Sequence, residues 1–331
     1  MKCLLVQPIH PAGVALLAGR GVDAVQASTP DMATVCREVA DCDAAITRNA
    51  GFNRAAMQAG VRLQVLGNHG IGTDPVDLAY AGQIGLPVVF TPHSNVQSVA
   101  ELAIAHMLAI AKRVREADRS VREGRFDYRF SRDFTEMQGK TLAIIGFGRI
   151  GRRTAEIARL AFGMRIIIHS PGVSQQTIRD AGFEVAHGLD EALAVADYVS
   201  LHKALDPGAG PLLDRRRLFA MKRGAALINT ARGALVDGVA LVEAVRSGHL
   251  RGAAVDVFEA EPLPRDHPFA AVEGIVLSPH IGGASEEAME RTALQVAAQV
   301  LDVLDGRRPE HLVNPQVWDR RRGLSWPRAA P

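Results

Sequence analysis

The sequence predicts an α/β protein built on parallel sheets, on the strength of three observations. Short apolar runs alternate with helical patterns along most of the chain, and a glycine-rich turn joins one such run to a helical segment. The chain also has 331 residues, more than one ordinary core organises, so two domains are expected. Strands that alternate with helices imply βαβ units and hence parallel pairing.

The first apolar runs lie at residues 3–7, 43–47, 63–67 and 88–91, separated by helical patterns such as 11–19 and 74–82. An amphipathic stretch follows from residue 96 to about residue 124. Its Val99, Leu102, Ala103, Leu108 and Val114 share roughly one helical face, which suits either core packing or a subunit interface. A fresh strand is expected at residues 141–145, opening a second βαβ series that runs to about residue 285. Residues 286–304 are helical again, and the basic residues after Trp318 read as a poorly ordered tail.

Composition narrows the function. Hydrophobic residues make up 47% and charged residues 22%, a globular balance that excludes a disordered chain. A net charge of +2, from 38 basic and 36 acidic residues, gives no reason to expect nucleic acid or an anionic membrane as partner. Cys3, Cys36 and Cys42 lack a paired spacing and an even count, so neither a metal site nor a disulfide framework is expected. The first apolar run is too short for a signal peptide, and no stretch approaches the roughly 18 apolar residues of a membrane span. A cytoplasmic enzyme is the expectation.

The string Gly146-Phe-Gly148-Arg149-Ile150-Gly151 follows the strand at 141–145 and opens a helical run at 154–162. That context turns a weak glycine pattern into a dinucleotide fingerprint. Gly146 permits the tight turn, Gly148 lets backbone approach a pyrophosphate, and Gly151 allows close helix–strand packing. The helix start offers free amides to the phosphates. The plain alternative is an ordinary glycine-rich turn. The next strand, 165–169, ends at His169-Ser170-Pro171. An acidic residue at that strand end normally takes the adenosine ribose hydroxyls and repels a 2′-phosphate. Ser170 keeps hydrogen-bonding ability without charge, so either NAD or NADP is expected as cofactor. Residues 171–176 contain no cation to enforce NADP.

Three further strand-like runs end in polar residues: Asn229-Thr230-Ala231-Arg232-Gly233, Asp256-Val-Phe-Glu-Ala-Glu261-Pro262, and Pro279-His280-Ile281-Gly282-Gly283. Ligands in open α/β sheets sit beyond the carboxyl ends of strands, where such residues converge. With Val99-Ala-Glu101 and the glycine turn, these strings resemble, in order and spacing over roughly residues 66–314, the D-isomer-specific 2-hydroxyacid dehydrogenase family. Its 3-phosphoglycerate dehydrogenases and hydroxypyruvate or glyoxylate reductases are the most similar.

The resemblance implies two Rossmann-like, doubly wound parallel-sheet domains. A dinucleotide-binding domain, 97–285, would be inserted into a discontinuous substrate domain, 1–96 plus 286–331. It further implies hydride transfer between NAD(P)H and a small 2-keto acid, giving a D-2-hydroxy acid. Arg232 would bind the substrate carboxylate and carbonyl oxygen through its guanidinium fork. His280 would be the general acid and base, and Glu261 would orient its ring. Arg149 and Ile150 would lie along the pyrophosphate, with Ser170 and His202 also on the cofactor. Thr230 and Ala231 would sit beside the nicotinamide ribose. Asp256 would bond the carboxamide, and Ile281, Gly282 and Gly283 would lie near the ring.

In the first domain, the backbone of His69-Gly70-Ile71-Gly72 would hold the substrate carboxylate, Asn95 would face the same cleft, and Arg48 would reach a phosphate or hydroxymethyl group. A homodimer joined through the nucleotide domains is also implied. His202-Lys-Ala204-Leu departs from the family's usual His-x-Pro-Leu, and Phe126 replaces a common Trp. Two readings compete: a nucleotide-sensing binding protein or corepressor on the same fold, and a formate dehydrogenase, against which Glu261 stands where Gln is expected.

Overall fold

The computed structural model describes residues 1–206 and 208–323. Contacts divide the described residues into two compact units, Met1–Asn95 with residues 283–323, and Val96–Gly282.

The first unit carries strands β1 (Lys2–Leu5), β2 (Asp23–Gln26), β3 (Ala44–Thr47), β4 (Val65–Asn68) and β5 (Val88–Val89). Helices α1 (Pro11–Ala18), α2 (Met32–Glu38), α3 (Arg54–Ala59) and α4 (Leu78–Gln83) connect them. All pairings are parallel, in the order β2-β1-β3-β4-β5. The run at 23–26 escapes detection in the sequence because β2 is a four-residue edge strand with a half-exposed, polar-ended pattern.

The second unit begins with α5 (Val96–Lys112) and α6 (Val114–Arg122). The single long helix expected from the periodicity is therefore broken. Arg113 takes a left-handed conformation, φ 48°, between the two, and its guanidinium pairs with Asp133. The apolar side of α5 is core rather than a free face, with Val99, Ala103, Met107 and Ile110 buried. Strands β6 (Thr141–Ile145), β7 (Arg165–His169), β8 (Glu184–Val185), β9 (Tyr198–Leu201), β10 (Ala226–Asn229), β11 (Gly252–Val255) and β12 (Ile275–Leu277) form one parallel sheet. Its order is β12-β11-β10-β9-β6-β7-β8. Helices α7 (Arg149–Phe162), α8 (Gln175–Asp180), α9 (Leu189–Val195), α10 (Arg215–Ala220) and α11 (Gly238–Arg246) complete the unit. The chain then returns to the first unit as α12 (Glu286–Leu304), capped by the Ser285 hydroxyl.

Each sheet is buried on both faces, which explains why its strands read as continuous apolar runs. In the first, Cys3, Leu5, Ile46 and Val65 pack with Val296 and Val300 of α12, while Leu4, Ala45 and Leu66 pack with Val35 and Met57. In the second, Ala143, Ile145 and Leu227 face Leu193 and Leu241, while Leu142, Ile144 and Ile228 face Met107 and Ala155. Both units are thus doubly wound.

Part of the expected tail is ordered. Arg320 bonds the Gly82 carbonyl, the Arg322 amide bonds Gly85, and Arg321 lies over the Trp318 ring. Residues 324–331 of that tail lie outside the described residues. Among the described residues no helix is long and apolar enough to cross a membrane, and no His, Cys, Asp and Glu cluster is placed to hold a metal.

Candidate active site

In the second unit the strand order reverses between β6 and β9, the point where α/β sheets open a crevice beyond their carboxyl ends. The glycine turn lies there. Gly146 has φ +100°, and a Cβ on it would meet the His202 carbonyl oxygen at 2.6 Å. A Cβ on Gly151 would overlap the Gly146 carbonyl oxygen. The fold itself demands both glycines.

Gly148 is different. Its φ is −75°, and a Cβ there would meet nothing within 4 Å. Packing does not explain a glycine at this position, whereas close approach of a phosphate does. Gly148 also starts the 14-residue α7 without a side-chain cap, leaving the first amides for another acceptor. Just past the end of β10, Thr230 Oγ1 is buried with no hydrogen-bond partner. The open cradle, the uncapped helix and the orphaned hydroxyl fit a dinucleotide.

Arg149 and Ile150 open α7, one exposed and one half-buried, and Ser170 is half-buried just past β7. The His202 amide bonds the Ile145 carbonyl, and its ring meets the Ser200 hydroxyl at 2.9 Å. Burial pulls that ring down to about 4, so it is neutral at physiological pH.

Arg232, Glu261 and His280 come from the ends of three neighbouring strands. Asn229 shapes the first turn, its amide donating to the Arg232 carbonyl at 2.8 Å and its oxygen accepting the Ala231 amide at 3.1 Å. A Cβ on Gly233 would overlap the Phe258 backbone, so this glycine lets the Arg232 turn pack against the 258–261 loop. In that loop the Phe258 amide donates to Glu261 Oε1 at 3.0 Å. The other carboxylate oxygen, Oε2, accepts from His280 Nδ1 at 2.7 Å. Both side chains are about one-third exposed, at 35% for His280 and 30% for Glu261. With Nδ1–H committed to the carboxylate, Nε2 is the nitrogen left to exchange a proton.

His280 has φ +54°, a left-handed conformation rare for a residue with a side chain. Asp256 holds this backbone in place. Its carbonyl accepts the His280 amide at 2.8 Å, and its carboxylate accepts the Ile281 amide at 2.8 Å and the Gly282 amide at 2.9 Å. The Ser278 hydroxyl donates to the same carboxylate at 2.6 Å. Asp256 is 1% exposed. Its position is that of an internal clamp, a role the carboxamide assignment did not include. The Ile281 side chain is exposed, and Gly282 is fixed by Ser98 Oγ donating to its carbonyl at 2.6 Å.

In the first unit, Arg48 follows β3 beside the β1–β3 reversal point. It donates to the Pro8 carbonyl at 2.7 Å and to Met289 Sδ at 3.5 Å, and burial lowers its pKa. His69, Gly70, Ile71 and Gly72 follow β4. The Asn68 amide donates to the carbonyls of Gly70 and Gly72, a loop-shaping contact that the motif alone does not announce. His69 Nε2 and Asn95 Oδ1 are buried without a hydrogen-bond partner. Burial, then the charge of Arg48, holds His69 neutral, with its pKa at about 4. Gly283, the last of the expected cofactor contacts, belongs to this unit, where a Cβ would crowd Asn95 Nδ2 at 2.8 Å.

Residues 104–282 match the model of the NAD binding domain of the D-isomer specific 2-hydroxyacid dehydrogenases. The chain belongs to that family. The glyoxylate reductase of Aeropyrum pernix is 39% identical over 263 residues, covering 77% of this chain and 78% of that one. The D-3-phosphoglycerate dehydrogenase of Methanocaldococcus jannaschii is 34% identical over 316 residues, 95% of this family member. This chain spans only 59% of that relative's length. Among solved structures, a protein of Thermus thermophilus superposes with a TM-score of 0.87 at 37% identity, covering 95% of this chain and 100% of its own.

Proposed function

We infer that this family member interconverts a small 2-keto acid and its D-2-hydroxy acid with NAD or NADP. Hydroxypyruvate, glyoxylate or 3-phosphoglycerate is the substrate class. The observation that carries the reading is the 2.7 Å Glu261–His280 pair at the end of the sheet that bears the glycine cradle. The relatives named for glyoxylate reduction and D-3-phosphoglycerate dehydrogenation support the same class.

Residues 146–151 with Ser170, Thr230 and Ala231 would hold the dinucleotide, and Ile281 offers an exposed apolar side chain beside the catalytic histidine. The chemistry a bound nicotinamide supplies is a hydride for the keto carbon. The chain must supply the rest. Reduction builds negative charge on the carbonyl oxygen, so a proton donor and a cation have to be in place beforehand. His280 Nε2 gives its proton to that oxygen, and the ring is left as the Nδ1–H tautomer that Glu261 holds. Arg232 pairs with the substrate carboxylate. In the first unit, the amides of 69–72 and the unpartnered Asn95 Oδ1 are suited to polar substrate groups, with Arg48 beside His69.

A homodimer formed through the nucleotide-binding unit accords with the exposed Val114, Val121, Phe126 and Phe130, which cluster along one arm of sequence. A reducing, cytoplasmic setting accords with three free cysteines, of which burial holds Cys3 and Cys42 as thiols. The deciding experiment is oxidation of NADH and NADPH over a panel of 2-keto acids. Turnover with glyoxylate or hydroxypyruvate is expected, and dinucleotide binding without turnover on any member would favour a nucleotide-sensing protein instead.

A further inference from the structure

A buried polar chain runs from α5 to the segment that carries His280. His106 lies on α5 among apolar residues, 5% exposed. Its Nε2 meets Ser278 Oγ at 3.0 Å, and Ser278 Oγ meets Asp256 Oδ1 at 2.6 Å. Ser278 and Asp256 are 8% and 1% exposed.

The direction of each hydrogen bond follows from what the groups can do. The Asp256 oxygens already receive two backbone amides, so the carboxylate acts as acceptor and the Ser278 hydroxyl has to donate to it. A hydroxyl has one proton. Its remaining bond to His106 must then be accepted, which puts a hydrogen on His106 Nε2. Burial lowers the pKa of His106, so the ring is the neutral Nε2–H tautomer. His106 thereby fixes which way the Ser278 hydroxyl points, and Ser278 with the two amides fixes the Asp256 carboxylate.

That carboxylate and the same residue's carbonyl grip three successive amides, those of His280, Ile281 and Gly282. The gripped segment includes the left-handed His280, a conformation that persists only where its surroundings over-determine it. We propose that His106 is a positioning residue for His280, acting through Ser278 and the Asp256 clamp on residues 280–282. It touches no reacting group. Its work is to keep the proton-transfer ring in its left-handed setting against Glu261. The proposal rests on His280 being the proton donor for its catalytic consequence, while the clamp itself is a property of the folded chain.

The test therefore has two readouts. His106→Leu and Ser278→Ala remove one link each, whereas His106→Gln and Ser278→Thr keep a donor and a hydroxyl. Amide hydrogen exchange, which needs no substrate, should speed up at residues 280–282 by at least about tenfold in the first pair and recover most of the way in the second. In turnover, the first pair should lose about tenfold to a hundredfold in kcat with KM values within about twofold, since misplacing a reacting group costs rate rather than binding. If His106→Leu fails to fold, Ser278→Ala poses the same question by deleting one oxygen. Unchanged exchange in Ser278→Ala, or a Gln variant as impaired as the Leu variant, overturns the clamp. Absence of turnover in the parent protein would instead count against the proposed function, and the exchange result would still decide the clamp.

Discussion

Glu261 divides its carboxylate between two partners, the ring of His280 at 2.7 Å and the amide of Phe258 at 3.0 Å. The second contact fixes the carboxylate to its own loop, so the first fixes the ring to that loop as well. A partly exposed hydrogen-bonded pair of this kind contributes little to stability, at most about 1 kcal/mol. Its value lies in orientation.

Replacing His280 by Asn should lower kcat by about 10²–10⁴-fold, the usual range for a lost general acid, with dinucleotide affinity little changed. Glu261→Gln should lower kcat by at least about tenfold through loss of ring orientation, while the urea midpoint barely moves. Steady-state kinetics beside an unfolding titration separates the two effects. Near-normal kcat in His280→Asn removes that residue from the chemistry.

The glycine turn gives a sharper contrast. Gly148→Ala meets no atom within 4 Å and should cost no more than about 1 kcal/mol, the ordinary loss of a glycine cap. It should nevertheless weaken NADH binding, because the added methyl fills the approach to the helix start. Gly151→Ala collides with backbone and should destabilise the unit before any question of binding arises. Fluorescence titration of NADH against the folded variants checks this. Unaltered affinity in Gly148→Ala would place the phosphates elsewhere.

Much of the architecture is legible in the sequence because both sheets are buried on two sides. The runs at 141–145 and 165–169 and the helix at 286–304 fall where the pattern puts them. Legibility fails where structure depends on distant partners. Nothing local marks Arg113 as a left-handed break, and the ion pair with Asp133 lies 20 residues away. The motif strings name Arg232, Glu261 and His280, whose spacing is local to their strand ends. They do not reveal that Ser278 joins Asp256 to His106 across 172 residues, nor that Asn68 and Asn229 shape their turns by bonding carbonyls further along.

The exposed arm from Val114 to Phe130 offers a test of assembly. Val121, Phe126 and Phe130 are 59%, 65% and 72% exposed, apolar side chains that a subunit interface would cover. Substituting Asp for both Phe126 and Phe130 should shift a dimer toward monomer in sedimentation equilibrium while the sheet stays folded. A parent chain that sediments as a monomer at micromolar concentration rules the interface out.

Acid should weaken the fold through its buried histidines. An unfolded His takes up a proton as pH falls through about 6.5, whereas folded His69 stays neutral down to about 4. Between those values the unfolded chain binds more protons, so stability present above pH 6.5 is lost as pH drops toward 4. For His69 that loss is on the order of 3 kcal/mol once the whole interval is crossed. His202, also held near 4 by burial, acts in the same sense. Urea midpoints of the parent and His69→Gln at pH 7 and pH 4.5 test the assignment. The variant should lose less stability on acidification, and identical losses would mean that His69 does not carry the dependence.

Cofactor choice turns on the end of β7. An aspartate or glutamate there would accept ribose hydroxyls and repel a 2′-phosphate, whereas Ser170 offers a hydroxyl and no charge. Residues 171–176 hold no cation, but Arg217 lies near enough to His169 for its charge, second to burial, to help lower the pKa of that ring. Arg217 is partly committed, donating to the Leu212 carbonyl at 2.9 Å and to Asp190 at 3.1 Å. Its pull on a phosphate is therefore shared with a carboxylate, and tolerance of both cofactors is expected rather than strong NADPH selectivity. Ser170→Asp should shift kcat/KM toward NADH by restoring the repulsion. Arg217→Gln should lower kcat/KM for NADPH and leave that for NADH nearly unchanged, because only the phosphorylated ribose offers it a charge. A parent protein that prefers NADH by more than about a hundredfold, some 2.7 kcal/mol, would mean that another residue performs the exclusion. If Ser170→Asp leaves the ratio where it was, the adenosine ribose does not lie at this strand end.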